Sequence, residues 1–121
     1  MVYIAIFIGG CLGGSLRYIC ALLIQQSYFP FATLTVNVLG ALLMGVFSTY
    51  LISYFKSHPN FKKLITTGFL GAFTTYSSLS LETVQLLMNG KFLLAFIYVL
   101  SSMLLGFVFI AIGYKKGAVR L

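Results

Sequence analysis

The chain has 121 residues, 60% of them hydrophobic and 7% charged, with a mean hydropathy of +1.05. A soluble domain carries roughly 25% charged residues, so this composition excludes an ordinary water-soluble globule. Eight Lys and Arg against one acid give a formal charge of +7. In a soluble protein that balance would suggest nucleic-acid binding; here the basic residues sit mostly between or after apolar runs, where lipid headgroups hold them, and no nucleic-acid partner is expected.

A bilayer crossing needs about 20 apolar residues, so four crossings with short loops use nearly the whole chain and predict one domain, residues 1–121. Val2 to Ile24 is apolar apart from Arg17, and Phe31 to Phe55 carries no charge. After the basic turn around Ser57-His58-Pro59-Asn60, Leu64 to Met88 is apolar apart from Glu82. Asn89-Gly90-Lys91 then makes a tight connection into the uncharged run Phe92 to Tyr114. The expected fold class is an all-α membrane protein of four transmembrane helices, spanning 2–24, 31–55, 64–88 and 92–114. The first run is too long for a signal-peptide core and has no basic residue ahead of it, so it is expected to remain in the mature protein.

Four crossings put both termini on one side of the membrane. That side holds Lys56, Lys62, Lys63, Lys115, Lys116 and Arg120, whereas the opposite loops hold Lys91 alone. Positive residues accumulate on the cytoplasmic side, which predicts a multi-pass cell-membrane protein with both termini in the cytoplasm. The pairs Gly9/Gly13, Gly10/Gly14 and Ala41/Gly45 are small-xxx-small spacings that let helix backbones approach closely, within the chain and between subunits. Four short helices barely enclose a polar path, so an oligomer is expected.

Cysteine and histidine offer little chemistry. Cys11 and Cys20 are nine residues apart in one predicted helix, about 900° of rotation, on opposite faces. His58 has no second His or Cys near it in sequence and reads as a loop residue. No catalytic triad or side-chain metal site is legible, and no enzyme activity is expected.

Polar side chains at membrane depth each need a partner or a water-filled cavity. Arg17 lies about 10 Å from the end of its run and can snorkel to the interface, pair, or line a cavity. Asn37 and Thr33 are one helical turn apart and aim an amide and a hydroxyl in one direction, toward another helix or a polar path. Glu82, the only acid, fits a proton-exchange site, a partner for Arg, or a cap on broken backbone. The segment Gly68-Phe69-Leu70-Gly71-Ala72-Phe73-Thr74-Thr75-Tyr76-Ser77-Ser78-Leu79-Ser80 concentrates weak helix formers inside the third run, which predicts a break in that helix. A break at depth frees carbonyls for a cation and aims amides and hydroxyls at an anion, so it reads as an ion site. Tyr98 and Ser102 share one face of the fourth run. Donors outnumber acids, and the aromatic edges of Phe73 and Tyr76 add positive quadrupole density, so the inventory favours an anion.

Three ordered motifs carry a family likeness: Gly9-Gly10-Cys11-Leu12-Gly13-Gly14-Ser15-Leu16-Arg17-Tyr18, then Ala32-Thr33-Leu34-Thr35-Val36-Asn37-Val38-Leu39-Gly40, then Gly68 to Glu82. Together they resemble the Fluc/CrcB fluoride channels over almost the whole chain. The resemblance implies small four-helix subunits, the third helix broken in mid-membrane, assembled as antiparallel dimers with two pores in the lipid bilayer. It implies a central structural sodium ion on the backbone carbonyls of Gly71 and Thr74, and passive export of fluoride from the cytoplasm. By position, Asn37 contacts fluoride along the pore, Arg17 resembles a vestibule arginine and Thr33 its companion. Thr75 and Ser77 fall at polar pore positions of helix three, Tyr98 and Ser102 on the polar track of helix four, and Glu82 at the acid that follows the helix-three aromatics.

The family's Thr-Thr-Phe-Ser-Thr-Phe reads Thr74-Thr75-Tyr76-Ser77-Ser78-Leu79 here. Tyr76 keeps a ring and Leu79 does not, so this chain lacks one of the two phenylalanines that coordinate fluoride edge-on in the family. A chain that inserts both ways should also have balanced loop charge, and this one does not. Both departures point to pairing with an oppositely oriented homologous subunit that supplies the missing ring. Two other readings compete: a small multidrug-type proton-coupled transporter using Glu82, which would have no use for the hydroxyl-rich segment, and a subunit without transport activity, which would not bury so many polar groups. Asp in place of Asn37 discriminates, since it should stop anion flux and could leave cation exchange intact.

Overall fold

The computed structural model describes residues 1–24 and 29–119. Arg120, one of the tail charges, and most of the first loop lie outside them. Among the described residues all regular structure is helical. Helix α1 runs Val2–Leu23 and ends where Ile24 turns extended. Pro30, which has no N–H to leave unpaired at a helix start, stands at the head of α2, Phe31–Tyr50. The apolar run continues to Phe55, but the helix stops at Leu51 and resumes as α3, Ile52–Ser57. After His58, Pro59 opens α4, Pro59–Lys63.

The expected third run is helical in pieces: wide π-helical turns over Leu64–Leu70, a single turn α5 over Gly71–Phe73, and α6 over Tyr76–Met88. Between the last two, Thr74 and Thr75 are extended (ψ 160° and 122°). Thr75 restarts the helix as its N-cap, its Oγ1 accepting from the Ser78 N–H at 3.1 Å. The end of α6 closes on Gly90 (φ +74°), with the Gly90 N–H donating to the Leu87 carbonyl and the Lys91 N–H to the Leu86 carbonyl. That pair of bonds needs a left-handed residue, which glycine supplies without a Cβ clash. Helix α7 then runs Phe92–Val119, five residues past the expected end of its run. Three of these helices, Val2–Leu23, Phe31–Tyr50 and Phe92–Ala118, are long and apolar enough to cross a membrane.

Two backbone-to-backbone contacts organise the bundle. Along α1, a Cβ on Gly9 would fall on the Leu64 carbonyl oxygen and one on Gly13 on the Phe69 carbonyl oxygen, while a Cβ on Gly68 would meet the Ile6 carbonyl oxygen at 2.6 Å. Helices α2 and α7 pack side by side in the same direction: Leu34 lies against the Tyr98 cluster at one end, and Gly45 against Ile110 and Tyr114 further along. Thr49 Oγ1 ties that end of α2 to the Tyr114 carbonyl at 3.2 Å. The glycines therefore act as close-approach surfaces. Gly10 differs, since a Cβ there meets nothing within 4 Å. α3, α4, the start of α1 and the end of α7 gather at one end of the bundle, with Lys56, Lys62, Lys63, Lys115 and Lys116.

Gly45→Val, which drives a branched side chain into the α7 backbone, should lower unfolding stability in detergent by about 1–3 kcal/mol or prevent folding. Gly10→Ala should stay within about 0.5 kcal/mol of the parent in the same denaturant titration.

Candidate functional site

The break at Thr74–Thr75 creates a local problem. In a continuous helix the Thr75 N–H would donate to the Gly71 carbonyl. Here it donates to Asn37 Oδ1 at 2.8 Å, and Asn37 Nδ2 donates to the Thr75 carbonyl at 3.0 Å. One primary amide thus satisfies both backbone groups of a buried residue, and it still holds a second N–H. The Gly71 carbonyl loses its helical donor, and Gly71 is exposed. Thr74 keeps its helical bond to the Leu70 carbonyl at 3.0 Å, and its Oγ1 donates to the same oxygen at 2.9 Å.

A second cluster is centred on Glu82, nearly two turns into α6. Its Oε1 accepts from Thr33 Oγ1 at 2.8 Å and its Oε2 from Tyr98 Oη at 2.6 Å. The carboxylate thereby joins α2, α6 and α7. Tyr98 is 0% exposed, edge-on to Phe29 at 5.3 Å and packed with Leu86 and Ala95. Hydrogen bonds from two hydroxyls lower the cost of placing an acid among apolar helices.

These two clusters flank a cavity of about 230 Å³ whose polar lining is Arg17, Thr33, Thr75, Ser78 and Glu82. Arg17, half-buried, faces this space from α1. On the other side of the break a shallow groove is lined by Asn37, Thr74, Thr75, Tyr76 and Leu79. Thr75 is common to both. Its hydroxyl, besides capping α6, lies 3.2 Å from Ser77 Oγ.

The remaining predicted positions separate. Tyr76 is 81% exposed and Ser77 is exposed, both on the outer surface of the bundle. Leu79 packs against the Leu86, Ala95 and Tyr98 cluster. Phe73 is 3% exposed, stacked parallel to Phe69 at 6.0 Å and set against Gly40, so its ring is packed within the protein. Ser102 Oγ is buried with no hydrogen-bond partner among the described residues. Ser78, not singled out from the sequence beyond its place in the polar segment, lines the cavity and receives the Thr75 cap. The signal for it was the threonine three residues earlier, at a helix restart. Cys11 and Cys20 are free, and no group of three His, Cys, Asp or Glu that could hold a metal occurs among the described residues.

The family model described as CrcB-like protein, Camphor Resistance (CrcB), matches residues 4–114. The chain belongs to this family. It is 41% identical over 117 residues to a Staphylococcus aureus (strain NCTC 8325 / PS 47) protein named fluoride-specific ion channel FluC 1, covering 97% of each chain. A Hydrogenobaculum sp. protein named fluoride-specific ion channel FluC is 40% identical over 119 residues, covering 97% of this chain and 98% of its own length. Fluoride-specific ion channel FluC 2 of Staphylococcus saprophyticus is 40% identical over 118 residues, covering 98% of both. With its apolar helices, the chain is a multi-pass membrane protein.

Asn37→Leu leaves the Thr75 N–H and carbonyl without partners, each costing about 1–3 kcal/mol. Its unfolding stability should fall by roughly 2–4 kcal/mol, and Asn37→Asp, which keeps the acceptor for the N–H but turns a carboxylate oxygen toward the Thr75 carbonyl, should fall at least as far. A thermal melt of both variants beside the parent checks the order.

Proposed function

We propose that this chain is a subunit of a fluoride channel that lets fluoride leave the cytoplasm passively. The observation that carries this is the match over nearly the whole chain to relatives named as fluoride-specific channels, in a molecule where Arg17, Thr33, Thr75 and Glu82 line one cavity and Asn37 holds the adjoining break. Hydrogen fluoride crosses membranes uncharged and dissociates at neutral pH, which traps the anion inside. A pore lets the membrane potential expel it. Fluoride is small and strongly hydrated, so the path must replace its water with closely set donors.

The donor inventory supports this. Arg17 brings a guanidinium to the cavity, Asn37 has one N–H to spare, and Ser102 presents a buried hydroxyl that wants an acceptor. The single hydrogens of Thr33 and Tyr98 are held by Glu82, so fluoride can take them only as the carboxylate gives them up. Ser77 and Tyr76, on the outer surface, would contribute to a path completed by a second subunit. The proton-exchange alternative finds no support among the relatives, which are named as fluoride-specific ion channels.

The fragments between Leu64 and Met88 act in this reading as one broken third crossing, which makes four. Gly71 and Thr74 would hold a structural sodium ion through their carbonyls. The Gly71 carbonyl fits, because Asn37 has taken its helical donor. When bound, the ion would supply positive charge at the break. The five lysines at one end of the bundle face the cytoplasm under the positive-inside rule, with both termini. That fixed orientation, and Leu79 where the family carries a ring, favour an antiparallel dimer with an oppositely oriented homologue.

Liposomes loaded with fluoride and containing this chain with such a homologue should release fluoride to a selective electrode, while chloride-loaded vesicles stay silent. Chloride release at a similar rate would contradict the assignment. In the same assay Asn37→Asp, which sets a negative charge on the anion path, should cut fluoride efflux at least tenfold. The chain expressed alone and crosslinked should give no active antiparallel dimer; efflux from the chain by itself would overturn the pairing with a different homologous subunit.

A further inference from the structure

At the basic end of the bundle, α2, α3, α4 and the first π-helical turn border an open cavity of about 320 Å³ that is separate from the site at the break. It is lined by Ser48, Ile52, Phe55, Lys56, Lys62 and Thr66. The two lysines come from opposite sides of the His58–Pro59 turn and contribute to one cavity wall. Ser48 Oγ already donates to the Met44 carbonyl at 2.6 Å, and Thr66 Oγ1 to the Lys62 carbonyl at 2.8 Å. Their hydrogens are committed, so the ammonium groups are what the cavity offers to a ligand, and that ligand is an anion. Buried Phe55 and half-exposed Ile52 supply an apolar edge beside the charges.

We infer that this cavity binds the phosphodiester headgroup of an anionic phospholipid, with Lys56 and Lys62 on the phosphate and Ile52 and Phe55 beside the start of an acyl chain. Three features select a lipid over a free anion. The cavity lies where the apolar α2 ends, and α2 taken as a crossing places that end among the headgroups. It combines charge with apolar surface, which a free phosphate cannot use. It also sits among five lysines at one end of the bundle, the end that faces the anionic cytoplasmic leaflet. The inference uses the membrane orientation and does not depend on which ion the protein conducts. Since the cavity joins the end of α2 to the start of the π-helical turns, a bound lipid would brace α2 against those turns.

Native mass spectrometry of the detergent-purified full-length protein tests this, with phosphatidylglycerol and phosphatidylcholine of identical acyl chains and inorganic phosphate as a third arm. Phosphatidylglycerol should bind in preference to phosphatidylcholine and be released by added salt. Lys56→Gln with Lys62→Gln should weaken it about thirtyfold, from two lysines near an anionic surface. Lys115→Gln with Lys116→Gln should weaken it less than threefold, and Lys56→Arg with Lys62→Arg should retain it. Equal losses from both glutamine pairs would reduce the effect to general surface charge and overturn the site. Binding of inorganic phosphate as tight as that of the lipid would overturn the lipid assignment. If the glutamine pair does not fold, insensitivity of parental binding to salt would overturn the proposal by itself.

Discussion

A polypeptide cannot leave its peptide groups unpaired among apolar helices, and every departure from helical backbone there needs a substitute donor and acceptor. In this protein the substitute at Thr74–Thr75 is one side chain. Asn37 receives the Thr75 N–H and returns an N–H to the Thr75 carbonyl, so α2 takes over what the broken helix gives up. No other residue type of that size offers both functions in one plane. The position of α2 therefore governs the break, and α2 is itself held against α7 by glycine contacts at Gly45 and Gly113.

Glu82 extends the same logic to charge. An isolated carboxylate among apolar helices is expensive, and the hydroxyls of Thr33 and Tyr98 make it tolerable. Thr33 and Asn37, one turn apart on α2, thus hold the two sides of α6: one its restart, the other its acid. Arg17 faces the same cavity from α1. The result is a polar seam between apolar helices, lined by Arg17, Thr33, Thr75, Ser78 and Glu82.

Much of this was legible from residue types. The apolar runs, their near-absence of charge and the basic residues between them described a membrane protein, and the limits of α1 and the start of α2 fall within a residue of the expected positions. The run to Phe55 hid the interruption at Leu51, because hydropathy registers side chains and is blind to backbone torsion. The polar stretch from Gly68 to Ser80 marked weak helix propensity over thirteen residues; which two of them are extended depends on Asn37, 38 positions away in sequence. Long-range pairing of this kind leaves no periodic trace. Glu82 likewise stood out by its chemistry, while its partners on α2 and α7 became visible only in three dimensions. Phe73, expected from the sequence as a pore aromatic, has its ring buried against Phe69 and Gly40, a packing that residue type alone does not reveal.

The central claim is that the Asn37 amide holds the backbone of the break, and hydrogen–deuterium exchange at the Thr75 amide tests it most directly. The parent should show a protected Thr75 N–H, and Asn37→Ala should lose that protection while the amides of α7 exchange as slowly as before. Fast exchange at Thr75 in the parent, or protection that survives the loss of the Asn37 side chain, would contradict the account.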